Sequence, residues 1–173
     1  DNQGCTSVSN VDGEIFVDHT IPAPPSPRCA SVQTNGNVIL TWVAPVDTGM
    51  RFGNYTIYKS SSINGPYAPV TTITNYNTLT YTDAGANAQA ASIFYFMTTQ
   101  TDCGQEISPG SDTLQTIKVD VFNNNGVAVI TWNPLHNPEL ATATQNYAVY
   151  KEYPLGTWSV IGSTTAPVYQ WFD

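Results

Sequence analysis

Charge is the scarcest commodity in this sequence. Only 10% of its 173 residues are Asp, Glu, Lys or Arg, against roughly 25% in an average domain. The five basic residues (Arg28, Arg51, Lys59, Lys118, Lys151) are scattered singly, and thirteen acidic residues bring the net charge to −8. Phosphate backbones are held by clustered Lys and Arg, so the pattern argues against nucleic acid as a partner. It argues against an anionic membrane surface for the same reason. No apolar run approaches the ~20 residues of a membrane-spanning helix. Histidine occurs twice, as His19 and His136, and cysteine three times without a Cys-x-x-Cys. That leaves no zinc ligand set. There is no Gly-x-Ser-x-Gly elbow, phosphate loop or dinucleotide fingerprint, and no Asp-x-Asp-x-Asp-Gly ladder for calcium. The expectation is a protein without catalysis, metal or cofactor.

What the chain does have is apolar and aromatic residues: 41% are hydrophobic, with ten Tyr and four Trp. A packed core follows, kept soluble by Thr, Ser, Asn and Gln in the loops. That mix suits a secreted or surface β-protein. Runs of β-branched and aromatic residues alternate with polar ones between Gly, Pro, Asn and Asp, which is the signature of strands. Val38, Leu40 and Trp42 share one face of such a run, and Tyr55 and Ile57 share another. No window has a sustained helical period with caps. The Ala-rich stretch 84–91 is broken by Gly85 and Asn87 and reads as a loop with at most one helical turn.

The sequence also repeats itself. Val38-Ile39-Leu40-Thr41-Trp42 returns as Ala128-Val129-Ile130-Thr131-Trp132, and Asn54-Tyr55-Thr56-Ile57-Tyr58-Lys59 as Asn146-Tyr147-Ala148-Val149-Tyr150-Lys151. Gly65-Pro66-Tyr67 answers to Gly156-Thr157-Trp158, and Tyr81-Thr82-Asp83 to Trp171-Phe172-Asp173. The offsets stay between 90 and 92 residues. A period this long is a small domain rather than a solenoid repeat.

One unit can be assembled from seven short strands: Cys29–Gln33, Val38–Val43, Asn54–Ser60, Val70–Ile73, Thr78–Thr82, Ile93–Thr99 and Thr113–Val119. Turns every ~8–12 residues make this a β-sandwich. Ser9–Val17 lines up with Ser111–Val119, at an offset of 102. The expected division is therefore 1–20, the last strand of a preceding module with the start of a linker; 21–116, a complete module; and 117–173, a partial module lacking its last strands. The chain reads as a window cut from a longer array. Pro22-Ala23-Pro24-Pro25-Ser26-Pro27 favours an extended spacer. Between Ile117 and Val127 only nine residues intervene, and one strand running across that junction would make a stiff joint.

The Pro-rich entry, Trp42 on the second strand, Tyr55 and Tyr58 on the third, the Tyr95 strand and the Ser108-Pro109…Ser111-Asp112 loop resemble a fibronectin type III module. The resemblance covers nearly the whole chain and implies an all-β fold of tandem fibronectin type III-like (immunoglobulin-like) sandwiches. Tyr81-Thr82-Asp83-Ala84-Gly85-Ala86-Asn87-Ala88, Ser111–Ile117, Trp132-Asn133-Pro134 and Tyr150-Lys151-Glu152-Tyr153-Pro154 are similar to modules of very large Bacteroidetes surface proteins. Such proteins typically end in a gliding-motility-associated C-terminal domain and leave the cell by type IX secretion. Extracellular or cell-surface placement is what this resemblance implies.

In such a sandwich Cys29, near the start of the first strand, and Cys103, after the sixth, fall at the same pole. A disulfide between them would close 74 residues and contribute about 4 kcal/mol if unstrained. The alternative is independent free thiols. Trp42 and Trp132 are expected in the core, whereas Phe52, Tyr76 and Trp171 are the candidates for a contact surface, with packing against a neighbouring module the first expectation. Loop carboxylates such as Asp47, Asp83, Asp102 and Glu106 read as turn formers. Asp112-Thr113-Leu114 fits the Asp-Ser/Thr-aliphatic O-glycosylation pattern of Bacteroidetes, which makes Thr113 a possible modification site. The function expected is that of a non-catalytic segment of a multi-module filament or adhesin. Its partners would be neighbouring modules, further copies of the chain, or a surface protein or glycan. The alternative is a pair of accessory modules of a secreted polysaccharide-degrading enzyme.

Overall fold

A computed structural model describes residues 20–102, 105–136 and 145–173. Among these, all regular structure is strand. The first half holds β1 (Ser26–Val32), β2 (Val38–Val43), β3 (Phe52–Ser60), β4 (Ala68–Ile73), β5 (Thr80–Asp83), β6 (Phe94–Thr101) and β7 (Leu114–Gln115). They form two antiparallel sheets, ordered β1-β2-β5 and β4-β3-β6-β7. This division of seven strands is that of a fibronectin type III-like sandwich.

The two-residue alternation dictates what lies between the sheets. Val38, Leu40 and Trp42 point inward from β2 and meet Tyr55 and Ile57 from β3, Tyr95 and Met97 from β6, and Leu114 from β7. Each large side chain removed from water this way contributes about 1.5–3 kcal/mol. Ala86 and Ala88 close one end: the Ala-rich stretch forms turns rather than a helical turn, with the Ala88 N–H donating to the Gly36 carbonyl at 2.9 Å. At the other end Gly53 sits in a bulge between Phe52 and Asn54. A Cβ there would stand 2.9 Å from the Asp102 nitrogen, so only glycine lets β3 and β6 approach so closely.

The second half repeats the first. It contains β8 (Val119–Asn124), β9 (Val127–Trp132), β10 (Asn146–Glu152), β11 (Trp158–Thr165) and β12 (Gln170–Phe172). Their sheets are ordered β12-β9-β8 and β10-β11, matching β5-β2-β1 and β3-β4. Asn125 and Gly126, both at positive φ, make the two-residue turn between β8 and β9 that a right-twisted hairpin requires. Trp42 and Trp132 are equivalent: the first lies 5.7 Å from the Tyr55 ring and the second 5.8 Å from the Tyr147 ring. Trp42 is buried, whereas Trp132 is only half-buried.

One expected strand is divided. Thr113–Val119 does not run unbroken across the junction; β7 ends at Gln115 and β8 begins at Val119. Thr116 accounts for the break, because it stays bound to the first half. Its N–H donates to the Ile93 carbonyl and its hydroxyl accepts from the Ile93 N–H, both at 2.9 Å.

Candidate functional site

Hydrogen bonds and apolar packing meet at the junction between the two halves. β7 is bonded on one side to β6, where Phe94 faces Gln115 and Tyr95 faces Leu114. On its other side the Gln115 N–H donates to the Leu135 carbonyl at 2.8 Å, and Leu114 forms an antiparallel bridge with His136. The residues that follow β9 therefore return to the first half. Leu135 packs against the first hydrophobic core, so the junction is joined by apolar contact as well as by hydrogen bonds.

Asn133 ties these segments together. Its Oδ1 accepts from the Lys118 N–H at 2.8 Å and from the Ser92 hydroxyl at 3.2 Å. Its Nδ2 donates to the carbonyls of Thr116, at 3.0 Å, and Pro134, at 2.9 Å. One amide thus links the β6-proximal loop, the connecting chain and the second half. Donors and acceptors alternate around it, which fixes the amide's orientation. A side chain with every hydrogen-bonding position used resists rotation, and the chain it grips cannot swing without breaking several bonds at once.

A second cluster lies at the pole where the chain enters. Phe52 stands 4.4 Å from Tyr55 and 5.2 Å from Tyr76 between ring centres. The Tyr55 hydroxyl donates to the Tyr76 carbonyl at 3.0 Å, and the Tyr76 hydroxyl donates to the Pro45 carbonyl. Burial, with Tyr76 alongside, pushes the Tyr55 phenol up to about 12. Asp47 closes the adjoining loop by accepting from the Arg51 and Phe52 N–H groups, both at 3.0 Å, which makes it the turn former expected. A cleft of about 330 Å³ runs between this loop, Thr20–Ala23 and the Thr99 and Thr101 side of β6.

The residues singled out from sequence are distributed as follows. Phe52 and Tyr76 come together at this pole, half-buried and engaged with Tyr55. Trp171 is half-buried too, but far along the chain. Its indole covers Gly162, where an added Cβ would come within 2.3 Å of the ring, so it packs within the second half. Cys29 is an exposed thiol on β1 opposite Thr41. Cys103 lies outside the described residues, as do Cys5 and His19. Thr113, just before β7, is half-buried beside the Tyr67 phenol. Asp83 proves to be more than a turn former: it is buried and accepts from both Lys59, at 2.8 Å, and Tyr95, at 2.9 Å.

Asn133 stood out in the sequence only as part of Trp132-Asn133-Pro134, with no role assigned, and Ser92 and Leu135 did not stand out at all. The signal was a flaw in the repeat: Trp42-Val43-Ala44-Pro45 returns as Trp132-Asn133-Pro134, one residue shorter and with a polar residue where valine stood. Among the described residues no group of three or more His, Cys, Asp or Glu is placed to hold a metal ion, and no helix is long and apolar enough to cross a membrane.

No family model matches the chain, and neither does any curated protein. Solved structures with a similar fold include an Fn3-like protein from Clostridium thermocellum, at 24% identity and a TM-score of 0.45 over 56% of this chain and 92% of that one. The central fibronectin-III array of RIM-binding protein is 15% identical, with a TM-score of 0.44, over 91% of this chain and 58% of that one. The FN1–FN3 domains of chicken CNTN1 are 17% identical, with a TM-score of 0.41, over 88% of this chain and 55% of that one. The chain therefore spans little more than half the length of either array.

Proposed function

We propose that this chain is a non-catalytic segment of a secreted or cell-surface multi-module filament or adhesin, in which paired sandwiches act as a spacer of fixed geometry. The observation that carries this reading is the Asn133 clasp. Polar bonds from one amide to Ser92, Thr116 and Lys118, beside the Gln115–Leu135 bond and the seating of Leu135, oppose bending between the halves. Linked domains with small polar contacts move by default, so a junction with both apolar and polar anchors is suited to transmitting orientation and load. The contact surfaces offered to neighbours are the loop at 46–50, where Val46 and Met50 are exposed, and the outer faces of the second half. Export by the type IX route, the division at residues 20 and 116, the Cys29–Cys103 bridge and sugar on Thr113 belong to the same proposal.

Small-angle X-ray scattering of the chain tests the central claim. Data described by one fixed arrangement of the two halves are expected. A broad distribution of bent arrangements would refute the spacer. Intact mass before and after thiol alkylation reports the bridge and any added sugar in one measurement.

A further inference from the structure

The dipeptide Asn-Gly occurs three times, at Asn35-Gly36, Asn64-Gly65 and Asn125-Gly126. It is the pairing at which a chain most readily attacks itself. The glycine nitrogen can reach the carboxamide carbon of the asparagine, and no Cβ obstructs the five-membered ring that results. Ring closure requires the peptide between the two residues to turn. What holds the glycine N–H and the asparagine side chain in place therefore governs the rate, because the bonds in the way must open first.

The first two pairs lie in the complete sandwich, and both asparagines are exposed, so exposure does not separate them. Their bonding does. Asn35 sits in the turn between β1 and β2, where its Oδ1 accepts from the Asn37 N–H at 3.1 Å. Such a turn engages the very group that would react. The Gly36 N–H donates to the Gln33 carbonyl at 2.9 Å, and the Gln33 N–H donates to the Asn37 carbonyl at 2.8 Å. From the stretch 84–91, the Ala88 N–H grips the Gly36 carbonyl at 2.9 Å and the Gln89 carboxamide donates to the Thr34 carbonyl. Asn64 sits in the loop between β3 and β4, with residues 61–64 all exposed. Among the described residues no bond holds its carboxamide. The Gly65 N–H makes one turn bond, to the Ser62 carbonyl at 3.0 Å. The third pair is restrained by a hairpin: the Gly126 N–H donates to Asn123 Oδ1 at 3.1 Å, and the ladder closes on either side at Asn124 and Val127.

We propose that Asn64 is a site of spontaneous modification, converted through a succinimide to aspartate and isoaspartate, and that its bonds protect Asn35 from the same fate. The Gly65 nitrogen gives up its proton and bonds to the Asn64 Cγ. The Cγ–Nδ2 bond breaks, and the amide nitrogen leaves as ammonia. Water then opens the ring. Opening at Cγ gives aspartate; opening at the backbone carbonyl gives isoaspartate, in which the chain runs through the side chain and is one atom longer. No oxidant or reductant is needed. Either product adds a negative charge to a chain already at −8. The longer one also disturbs the loop where the Tyr67 hydroxyl holds the Ile63 carbonyl at 3.0 Å, and with it the edge-on seat of Tyr67 against Phe96.

This site is independent of the joint between the halves and of any second molecule. The folded 173-residue chain, incubated at neutral pH in water enriched in heavy oxygen, provides the test. Peptide mapping with fragmentation that resolves isoaspartate reads the product, and the heavy oxygen marks acid formed during incubation. Labelled acid is expected at residue 64, accumulating at least about tenfold faster than at residue 35, the scale of one or two retained hydrogen bonds. In urea, where both turns are lost, that difference should disappear. Asn64→Gln should abolish the product at residue 64, since glutamine closes a larger ring far more slowly, and this exposed side chain holds no partner whose loss would unfold the protein. Equal rates at residues 35 and 64 in the folded chain overturn the proposal. So does a residue 64 that stays amidated in the folded chain while it converts in urea.

Discussion

Lys59 reaches across the first sandwich to place its ammonium 2.8 Å from the Asp83 carboxylate, and in the second half Lys151 takes Asp173 in the same way. The lysines are 92 residues apart and the aspartates 90. β3 and β5 belong to opposite sheets, so each pair staples the two layers of its own half. The settings differ. The Asp83 side chain is 5% exposed and that of Asp173 is 31% exposed, and Asp83 alone is also bonded by a tyrosine.

Equal substitutions should therefore have unequal costs. Lys59→Met leaves a buried carboxylate without its cation and is expected to destabilise the first half by about 2 kcal/mol. That is short of the roughly 3–5 of a fully dry pair, because Lys59 keeps part of its contact with water. Lys151→Met breaks a more solvated pair and should cost under about 1 kcal/mol. Urea denaturation of the two variants measures both, and equal losses would contradict the difference in burial.

Acid should act through the same group. Burial pushes the Asp83 carboxyl up, but hydrogen bonds from Lys59, Tyr95 and the Gly85 N–H, with the Lys59 charge, outweigh it and hold it below the ordinary carboxylate value of 3.8. A carboxyl depressed in the folded state contributes stability that is complete above the unfolded value and is lost as pH falls through the folded one. The melting temperature is thus expected to drop below about pH 4, and Asp83→Asn should flatten that drop. Tyr55 has the opposite sign: its phenol is raised to about 12, so its share of stability is present below about pH 10 and is lost as pH climbs toward 12. An acid limb of the melting curve unchanged by Asp83→Asn would exclude the carboxylate as its source.

Gly162→Ala places a methyl group against the Trp171 indole, whose nearest atoms lie 2.3 Å from the new Cβ. Overpacking of this kind costs about 1–3 kcal/mol. The damage is centred on the second half, so tryptophan emission from Trp171 and Trp132 is expected to shift and the amides of β9, β10 and β11 to gain more in exchange rate than those of β2, β3 and β6. Exchange accelerated equally in both halves would be the contrary result.

Asn133→Ala removes the amide that holds Lys118, Thr116 and Ser92. The donors and acceptors left behind face partial solvent, so the expected loss is about 1–3 kcal/mol, expressed as uncoupling rather than unfolding. Calorimetry should resolve two transitions where the parent gives one. Ser92→Ala, which deletes a single 3.2 Å bond, should leave the halves coupled. A single unshifted transition in Asn133→Ala would mean that Leu135 and the Gln115 bond suffice.

The alternation in Val38-Ile39-Leu40-Thr41-Trp42 and its return ending in Trp132 was enough to establish strands, a two-unit repeat and the inward face of β2. Those features follow from the two-residue period of a strand, which every residue reports locally. Asp83 was legible only as a turn former, a part it plays by accepting from the Gly85 N–H; a loop aspartate and a buried ion-pair partner look alike until the opposite sheet brings Lys59 and Tyr95 to it. Phe52 and Tyr76 stood out as aromatic residues outside the expected core face, yet nothing in their spacing revealed that the chain folds them onto Tyr55.

Composition and period alone determined that this is an all-β protein made of two related units, poor in charge and without a recognisable catalytic motif. Only the tertiary structure decided that Asn133 joins those units and that Lys59 and Tyr95 converge on Asp83. The reason is that a strand's own pattern records which way its side chains point, whereas what they meet depends on segments distant in the chain, such as Lys59 for Asp83, 24 residues away, and Ser92 for Asn133, 41 residues away.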